Sequence, residues 1–129
     1  MKKTLLAYYH LLRPYEYLFF TLTYTLLGAA ATQSSFGWRW ILALLANFFA
    51  VAFAFAFNQI TDAPLDVLSE SDSPVRNPIA SGELSLAVSQ ISAVFLFVIS
   101  IILYALVGWK TLLAGLLALA IGVLYSWSG

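Results

Sequence analysis

Long apolar runs with almost no charge dominate this chain. Residues 40–57 and 86–107 contain no charged side chain, and each run is close to the ~20 residues that cross a bilayer as a helix. Because lipid offers a bare backbone no hydrogen-bond partner, such runs adopt helical structure. Only 9% of all residues are charged, against roughly 25% in soluble domains. The sequence therefore predicts an all-α, polytopic transmembrane helix bundle.

The apolar runs predict one membrane domain, residues 1–129. Residues 1–16 are expected to form an amphipathic helix on the membrane surface, because leucines and tyrosines recur there at helical spacing. The net charge is zero and no basic stripe is present, which excludes nucleic-acid binding. Four spans are expected at about 17–32, 38–57, 86–107 and 112–127.

Five of the six acidic residues lie in one polar segment, residues 58–85. An Asp costs about 2.5–3.5 kcal/mol at the centre of a membrane helix, so this segment must lie outside the hydrocarbon or at its edge. Its serines, its prolines (Pro64 among them) and Gly82 predict a loop. The first part of that loop is expected to continue the second membrane helix.

The distribution of Lys and Arg predicts the orientation. Four of these residues lie at the amino end or in the polar segment, and two lie in the connections on the other side. By the positive-inside rule, the amino terminus and residues 58–85 are expected to be cytoplasmic, in a multi-pass protein of the cell membrane. The residues in question are Lys2, Lys3, Arg13 and Arg76 on one side, and Arg39 and Lys110 on the other.

Asn58, Asp62 and Asp66 are four residues apart, so on a helix they project from one face. Asn and Asp commonly terminate helices and populate turns, which gives each of them a purely structural interpretation. Two neighbouring carboxylates, however, repel each other unless a cation neutralises them. Mg²⁺ is typically held by one or two carboxylates plus substrate oxygens. The trio therefore predicts a Mg²⁺ site in which Asp62 and Asp66 carry the chemistry and Asn58 adds a neutral oxygen.

Two other polar residues have alternative interpretations. Arg76 either determines topology and pairs with a nearby acid, or presents its guanidinium fork to phosphate oxygens. Asn47 lies eleven residues before Asn58 and so on the same face of the helix. It either lines a cavity or, as is commoner for an Asn inside a span, makes an interhelical hydrogen bond.

Four short motifs resemble those of the UbiA-type intramembrane prenyltransferase superfamily, in the same order and at the same helix ends. The departures are Gln59, where Asp is commonest, and Asn77, which separates Arg76 from Pro78. The motifs are Leu12-Arg13-Pro14, Asn58-Gln-x-x-Asp62-x-x-x-Asp66, Arg76-Asn-Pro78-Ile-Ala-Ser-Gly82-Glu-Leu-Ser85 and Leu124-Tyr125-Ser126.

The resemblance implies a Mg²⁺-dependent enzyme that transfers a prenyl group from a prenyl diphosphate to a lipophilic acceptor in the bilayer. Mg²⁺ would be held by Asn58, Asp62 and Asp66, and pyrophosphate would be bound by Arg76. Arg13 and Tyr125 would line the mouth, although Arg13 can equally snorkel to headgroups and Tyr125 can be an interfacial residue.

The family fold is a larger helix bundle with a second aspartate motif further along. No second acidic cluster occurs here, so the chain is expected to be an amino-terminal half. It would be completed by the missing carboxy-terminal half or by a second copy in a homodimer. The alternative is a small non-enzymatic four-helix protein, an oligomeric transporter or channel whose acidic mouth collects cations.

Overall fold

The computed structural model describes residues 2–31, 37–68 and 77–128, and all regular structure in these ranges is helical. The all-α prediction is therefore confirmed. Arg76 and the acidic residues at positions 70 and 72 lie outside the described residues. The helices are α1 (Lys2–Leu12), α2 (Pro14–Ala31), α3 (Trp38–Leu68), α4 (Leu86–Val107) and α5 (Trp109–Ser128).

Three of the described helices, α3, α4 and α5, are long and apolar enough to cross a membrane. They contain the expected spans 38–57, 86–107 and 112–127, which makes the chain a polytopic membrane protein. The expected span 17–32 falls mainly on α2. This helix is not among the described helices that are long and apolar enough to cross a membrane. Its first turn contains Glu16, and threonines interrupt its apolar run. This span stays a prediction.

Helix α3 continues well past its apolar part. Its 31 residues would extend about 46 Å, whereas the hydrocarbon core is about 30 Å thick. Residues 58–68 therefore project beyond the apolar span as three further helical turns. The predicted continuation of the second membrane helix into the polar segment is confirmed, and it includes Pro64, which had been taken as a loop signal. Pro64 has no N–H to donate to the preceding turn, and its exposed position close to the helix end makes this tolerable.

The bundle is organised around α3. This helix packs most extensively on α4, and α2, α5 and α1 also lie against it. Its buried face is rich in alanine, which lets the neighbouring backbones approach closely, as is usual between membrane helices. The core residues of α3 are Ala46, Ala50, Ala52, Phe53 and Ala56.

The cap of α4 and the contacts of α1 help to position the end of the bundle that carries Asp62 and Asp66. Ser85 caps α4 by accepting a hydrogen bond at its Oγ from the Val88 N–H, 3.3 Å away. Helix α1 is anchored to the core by Ala7 and Leu11, both almost fully buried. The His10 Nδ1 atom lies 3.9 Å from a Glu83 carboxylate oxygen, so α1 also approaches the segment that precedes α4.

Candidate functional site

The predicted trio lies on the last three turns of α3, one turn apart. Asn58 and Asp62 are in direct contact, because the Asn58 Nδ2 donates a hydrogen bond of 2.8 Å to the Asp62 Oδ2. This bond uses the amide nitrogen of Asn58 and does not involve its carbonyl oxygen. That oxygen is therefore free of the Asn58–Asp62 bond and can act as a neutral ligand.

The third residue, Asp66, is held from the segment that follows α3. The Asn77 Nδ2 donates 2.9 Å to the Asp66 Oδ2 and 2.7 Å to the Gln59 carbonyl oxygen. The Asn77 Oδ1 accepts a bond of 3.0 Å from the Ile79 N–H, which is an Asx-turn geometry. Asn77 thus ties the start of the next segment to α3. We call Asn58, Asp62, Asp66 and Asn77 the carboxylate cluster.

Two negative charges meet in this cluster beyond the apolar span. Burial raises the pKa of the Asp62 carboxyl above its ordinary value, and the Asp66 carboxylate adds to the rise. Amide donors such as Asn58 and Asn77 satisfy lone pairs but cannot neutralise charge. A cation placed between the carboxylates would therefore relieve the repulsion.

The donor set of the cluster suits a hard cation bound together with a substrate. Among residues 2–31, 37–68 and 77–128 there is no group of three or more Asp, Glu, His or Cys side chains that could hold a metal. Two carboxylates and one amide oxygen leave several coordination positions to other oxygens. Mg²⁺ commonly has this arrangement, with phosphate oxygens and water completing its octahedron.

The remaining predicted site residues are less closely connected to the cluster. Arg13 lies at the junction of α1 and α2 with a left-handed φ of 46°, and its guanidinium pairs with Glu16 at 3.2 Å. Its Nε atom is buried and has no hydrogen-bond partner in the described part of the chain. Tyr125 is 79% exposed on α5, at the same end of the bundle. Their roles, and that of Arg76, stay predictions.

A half-open cavity of about 340 Å³ lies deeper along α3 than the carboxylate cluster and is lined by residues of α2, α3, α4 and α5. From α3 it is lined by Asn47, Val51 and Ala54, whose spacing continues the face of Asn58. From α2 it is lined by two tyrosines, a phenylalanine and a threonine. Apolar and aromatic surface thus lines the cavity on the face of α3 that also carries Asn58.

Three hydrogen-bonded polar side chains join α2, α3 and α4, and two of them, Asn47 and Tyr104, line this cavity. The Asn47 Nδ2 donates 2.8 Å to the Thr25 Oγ1, and the Tyr104 hydroxyl donates 2.8 Å to the Asn47 Oδ1. The interhelical hydrogen bond predicted for Asn47 is therefore confirmed, and Asn47 also lines the cavity. Gly115 of α5 accommodates the Tyr104 ring, since a Cβ there would lie 2.5 Å from Tyr104 Cδ2. We call Thr25, Asn47 and Tyr104 the inner cluster.

Asn77 and Gln59 entered the sequence analysis only as departures from a motif. Both are buried, and they contact each other through the Asn77 amide and the Gln59 carbonyl. The available signal was an Asn just before a Pro in a polar segment, a usual setting for an Asx-turn. That signal predicts the turn, but it does not predict the contact with Asp66.

Comparison with known proteins gives one result. The model of the UbiA prenyltransferase family matches residues 17–129, which include the carboxylate cluster and the inner cluster. Neither the curated proteins nor the solved structures contain a match to this chain. The matched region covers most of the sequence and all of α3, α4 and the described part of α5. The chain is therefore a member of the UbiA prenyltransferase family.

Proposed function

We propose that this chain takes part in the Mg²⁺-dependent transfer of a prenyl group from a prenyl diphosphate to a lipophilic acceptor held in the membrane. Family membership supports a prenyltransferase-type membrane protein. The observation that carries the Mg²⁺ and diphosphate assignment is the carboxylate cluster. There, two acids lie one turn apart, burial and the neighbouring Asp66 raise the pKa of Asp62, and each acid accepts a hydrogen bond from an amide side chain.

Asp62, Asp66 and the Asn58 carbonyl oxygen would hold Mg²⁺, and Arg76 would bind the diphosphate oxygens. When bound, Mg²⁺ neutralises the charge that grows on pyrophosphate as the allylic C–O bond breaks. The chain's own contribution is positioning. The bond from Asn58 to Asp62 and the bond from Asn77 to Asp66 hold the carboxylates in place before the diphosphate arrives, so little reorganisation accompanies the reaction.

The cavity beneath the cluster supports the second half of the reaction. An allylic cation has to be kept from water until the acceptor attacks it. The rings of Tyr17, Phe20 and Tyr24 line this cavity, and aromatic faces stabilise positive charge. Arg13 and Tyr125 would lie at its mouth, where they help to retain the diphosphate.

Binding of geranylgeranyl diphosphate to the purified chain in lipid nanodiscs tests this proposal. We expect binding with Mg²⁺, none with EDTA, and a loss of at least tenfold in affinity on Asp62→Asn. Glu83→Gln is the matched control, because it removes an acid at the same end of the bundle without touching the α3 carboxylates. Binding that ignores both Mg²⁺ and Asp62 would refute the assignment.

Completion of the site by further helices, from a carboxy-terminal half or from a second copy of the chain, belongs to the same proposal. A homodimer would bring two carboxylate clusters into one assembly. Mass determination in nanodiscs with and without Mg²⁺ and geranylgeranyl diphosphate distinguishes the two routes. A dimer that forms on ligand addition supports the second copy, whereas a ligand-bound monomer argues against it.

The proposed setting is the cell membrane, with the carboxylate cluster on the cytoplasmic side. The chain contains no cysteine, so single cysteines can be introduced without background. A cysteine at Ser81, which is exposed in the segment before α4, should resist an impermeant thiol reagent in intact cells and react after lysis. Labelling in intact cells would reverse the proposed orientation.

A further inference from the structure

The end of the bundle opposite to the carboxylate cluster carries two cations. Helices α3 and α5 both begin there with a tryptophan followed by a basic residue, Trp38-Arg39 and Trp109-Lys110. The four acids that the structure describes belong to the other end, on the first turn of α2, the last turns of α3 and the segment before α4. No described carboxylate therefore neutralises the two cations.

Contacts between the helices bring the starts of α3 and α5 to the same end. Tyr104 of α4 donates a hydrogen bond to Asn47 of α3, and the Phe97 ring lies 5.2 Å from the Phe53 ring. Helix α4 therefore runs antiparallel to α3 and ends beside its start. Only Gly108 separates α4 from α5, so α5 begins at this end as well.

A half-open cavity of about 530 Å³ lies between these helix ends. Arg39 lines it from α3, and Thr111, the residue after Lys110, lines it from α5. Arg39 is the one charged side chain among the described lining residues, and most of the others are apolar. Along α3 this cavity meets the one of about 340 Å³ at Asn47, since the two are lined by residues 39–47 and 47–54 respectively.

Each of the two cations lies against the neighbouring indole ring. The Arg39 Cζ atom is 5.7 Å from the centroid of the Trp38 ring, and the Lys110 Nζ atom is 5.8 Å from that of Trp109. Because tryptophan rings lie at the headgroup level of a bilayer, both charges are expected at the depth of lipid phosphates. The helix dipoles of α3 and α5 also favour an anion at these amino ends.

We propose that this end of the bundle binds an anionic phospholipid of the adjacent leaflet. The lipid phosphate contacts Arg39 and Lys110, and the glycerol and the first part of one acyl chain lie in the cavity of about 530 Å³. This volume is within the range usual for small-molecule sites. The inference goes beyond the proposed prenyl transfer, because none of its charged residues belongs to the carboxylate cluster.

Quenching of tryptophan fluorescence by brominated lipids tests the proposal locally. Trp38, Trp40 and Trp109 lie at this end, and Trp127→Phe removes the fourth tryptophan of the chain. The full Trp127→Phe chain is reconstituted in phosphatidylcholine vesicles that contain equal amounts of either brominated phosphatidylglycerol or brominated phosphatidylcholine. We expect phosphatidylglycerol to bind about tenfold more tightly. Arg39→Gln and Lys110→Gln should each lower this preference about fivefold.

Lys3→Gln is the matched control, because it removes an exposed cation from α1, at the other end of the bundle. It should leave the preference for phosphatidylglycerol unchanged. Arg39 and Lys110 are exposed, so their substitution should not alter the melting temperature, which is measured for each variant. Variants that melt like the parent chain but lose the preference support the proposal.

Equal quenching by the two brominated lipids would overturn the proposal. A loss from Lys3→Gln as large as that from Arg39→Gln would also overturn it, because attraction to overall charge would then suffice. Inorganic phosphate, compared with sodium chloride of equal ionic strength, tests the remaining source of the anion. A preference that only phosphate abolishes would assign the site to free phosphate and overturn the lipid, whereas a preference that persists supports the lipid. Mg²⁺-dependent binding of geranylgeranyl diphosphate is measured separately and does not depend on this outcome.

Discussion

The inner cluster and the carboxylate cluster occupy the same face of α3 but differ in how their polar atoms are satisfied. In the inner cluster, Asn47 donates to one neutral side chain and accepts from another, so the hydrogen bonds close within the protein. In the carboxylate cluster, amide groups donate to two acids, which are negatively charged when ionised. Asn therefore joins helices in one place and contacts acidic side chains in the other. We therefore expect the carboxylate cluster, unlike the inner cluster, to bind a cation.

The largest expected stability effect is on the inner cluster. In Gly115→Ala the new Cβ would lie 2.5–2.9 Å from three atoms of the Tyr104 ring, so the whole ring must move and its bond to Asn47 is broken. We expect the free energy of unfolding to fall by about 1–3 kcal/mol. Thermal unfolding in detergent measures this. Mg²⁺-dependent binding of prenyl diphosphate should be unaffected where the protein remains folded.

Gly122→Ala on the same helix is the control for this prediction. A Cβ there would meet only Ala54 Cβ at 4.0 Å, an ordinary contact. Because Ala is the better helix former, we expect no loss and a gain of up to about 1 kcal/mol. Equal destabilisation by the two substitutions would mean that the Tyr104 ring is not held against α5.

A smaller effect distinguishes the two asparagines. Asn77→Ala removes three hydrogen bonds, one of which positions Asp66. We expect a loss of about 1–2 kcal/mol in stability together with weaker Mg²⁺ binding. Asn47→Ala should lower stability by a similar amount but leave Mg²⁺ affinity unchanged, because it lies on the inner cluster. Titration of both variants with Mg²⁺ measures these affinities. An equal loss of Mg²⁺ affinity in the two variants would contradict the proposed difference between the two clusters.

The sequence predicted these two clusters unequally. The carboxylate face follows from local spacing, since residues four apart on a helix share a face whatever surrounds them. The interhelical role of Asn47 follows from the cost of an unbonded amide in a span. The contact between Asn77 and Asp66 joins two segments across a long connection, and no local pattern predicts it. The helical position of Pro64 was missed because proline was taken as a local loop signal, whereas a helix can include an exposed proline close to its end.

The smallest effect concerns the charge of the carboxylate cluster itself. The pKa of Asp62 is raised in the folded protein above its ordinary 3.8, so the folded protein holds this proton more tightly than the unfolded chain. The contribution of Asp62 to the stability of the Mg²⁺-free protein should therefore be largest below pH 3.8. It should fall as the pH rises from there through the folded pKa.

Asp62→Asn should remove this pH dependence and leave the Mg²⁺-free protein slightly more stable than the wild type at pH 7. Added Mg²⁺ should raise the melting temperature of the wild type, because a ligand bound only by the folded state stabilises it. The same addition should leave Asp62→Asn unchanged, whereas Glu83→Gln should respond like the wild type. A wild type that melts at the same temperature with and without Mg²⁺ at pH 7 would mean that the cluster balances its charge internally. The two clusters would then be alike, and the difference between them would disappear.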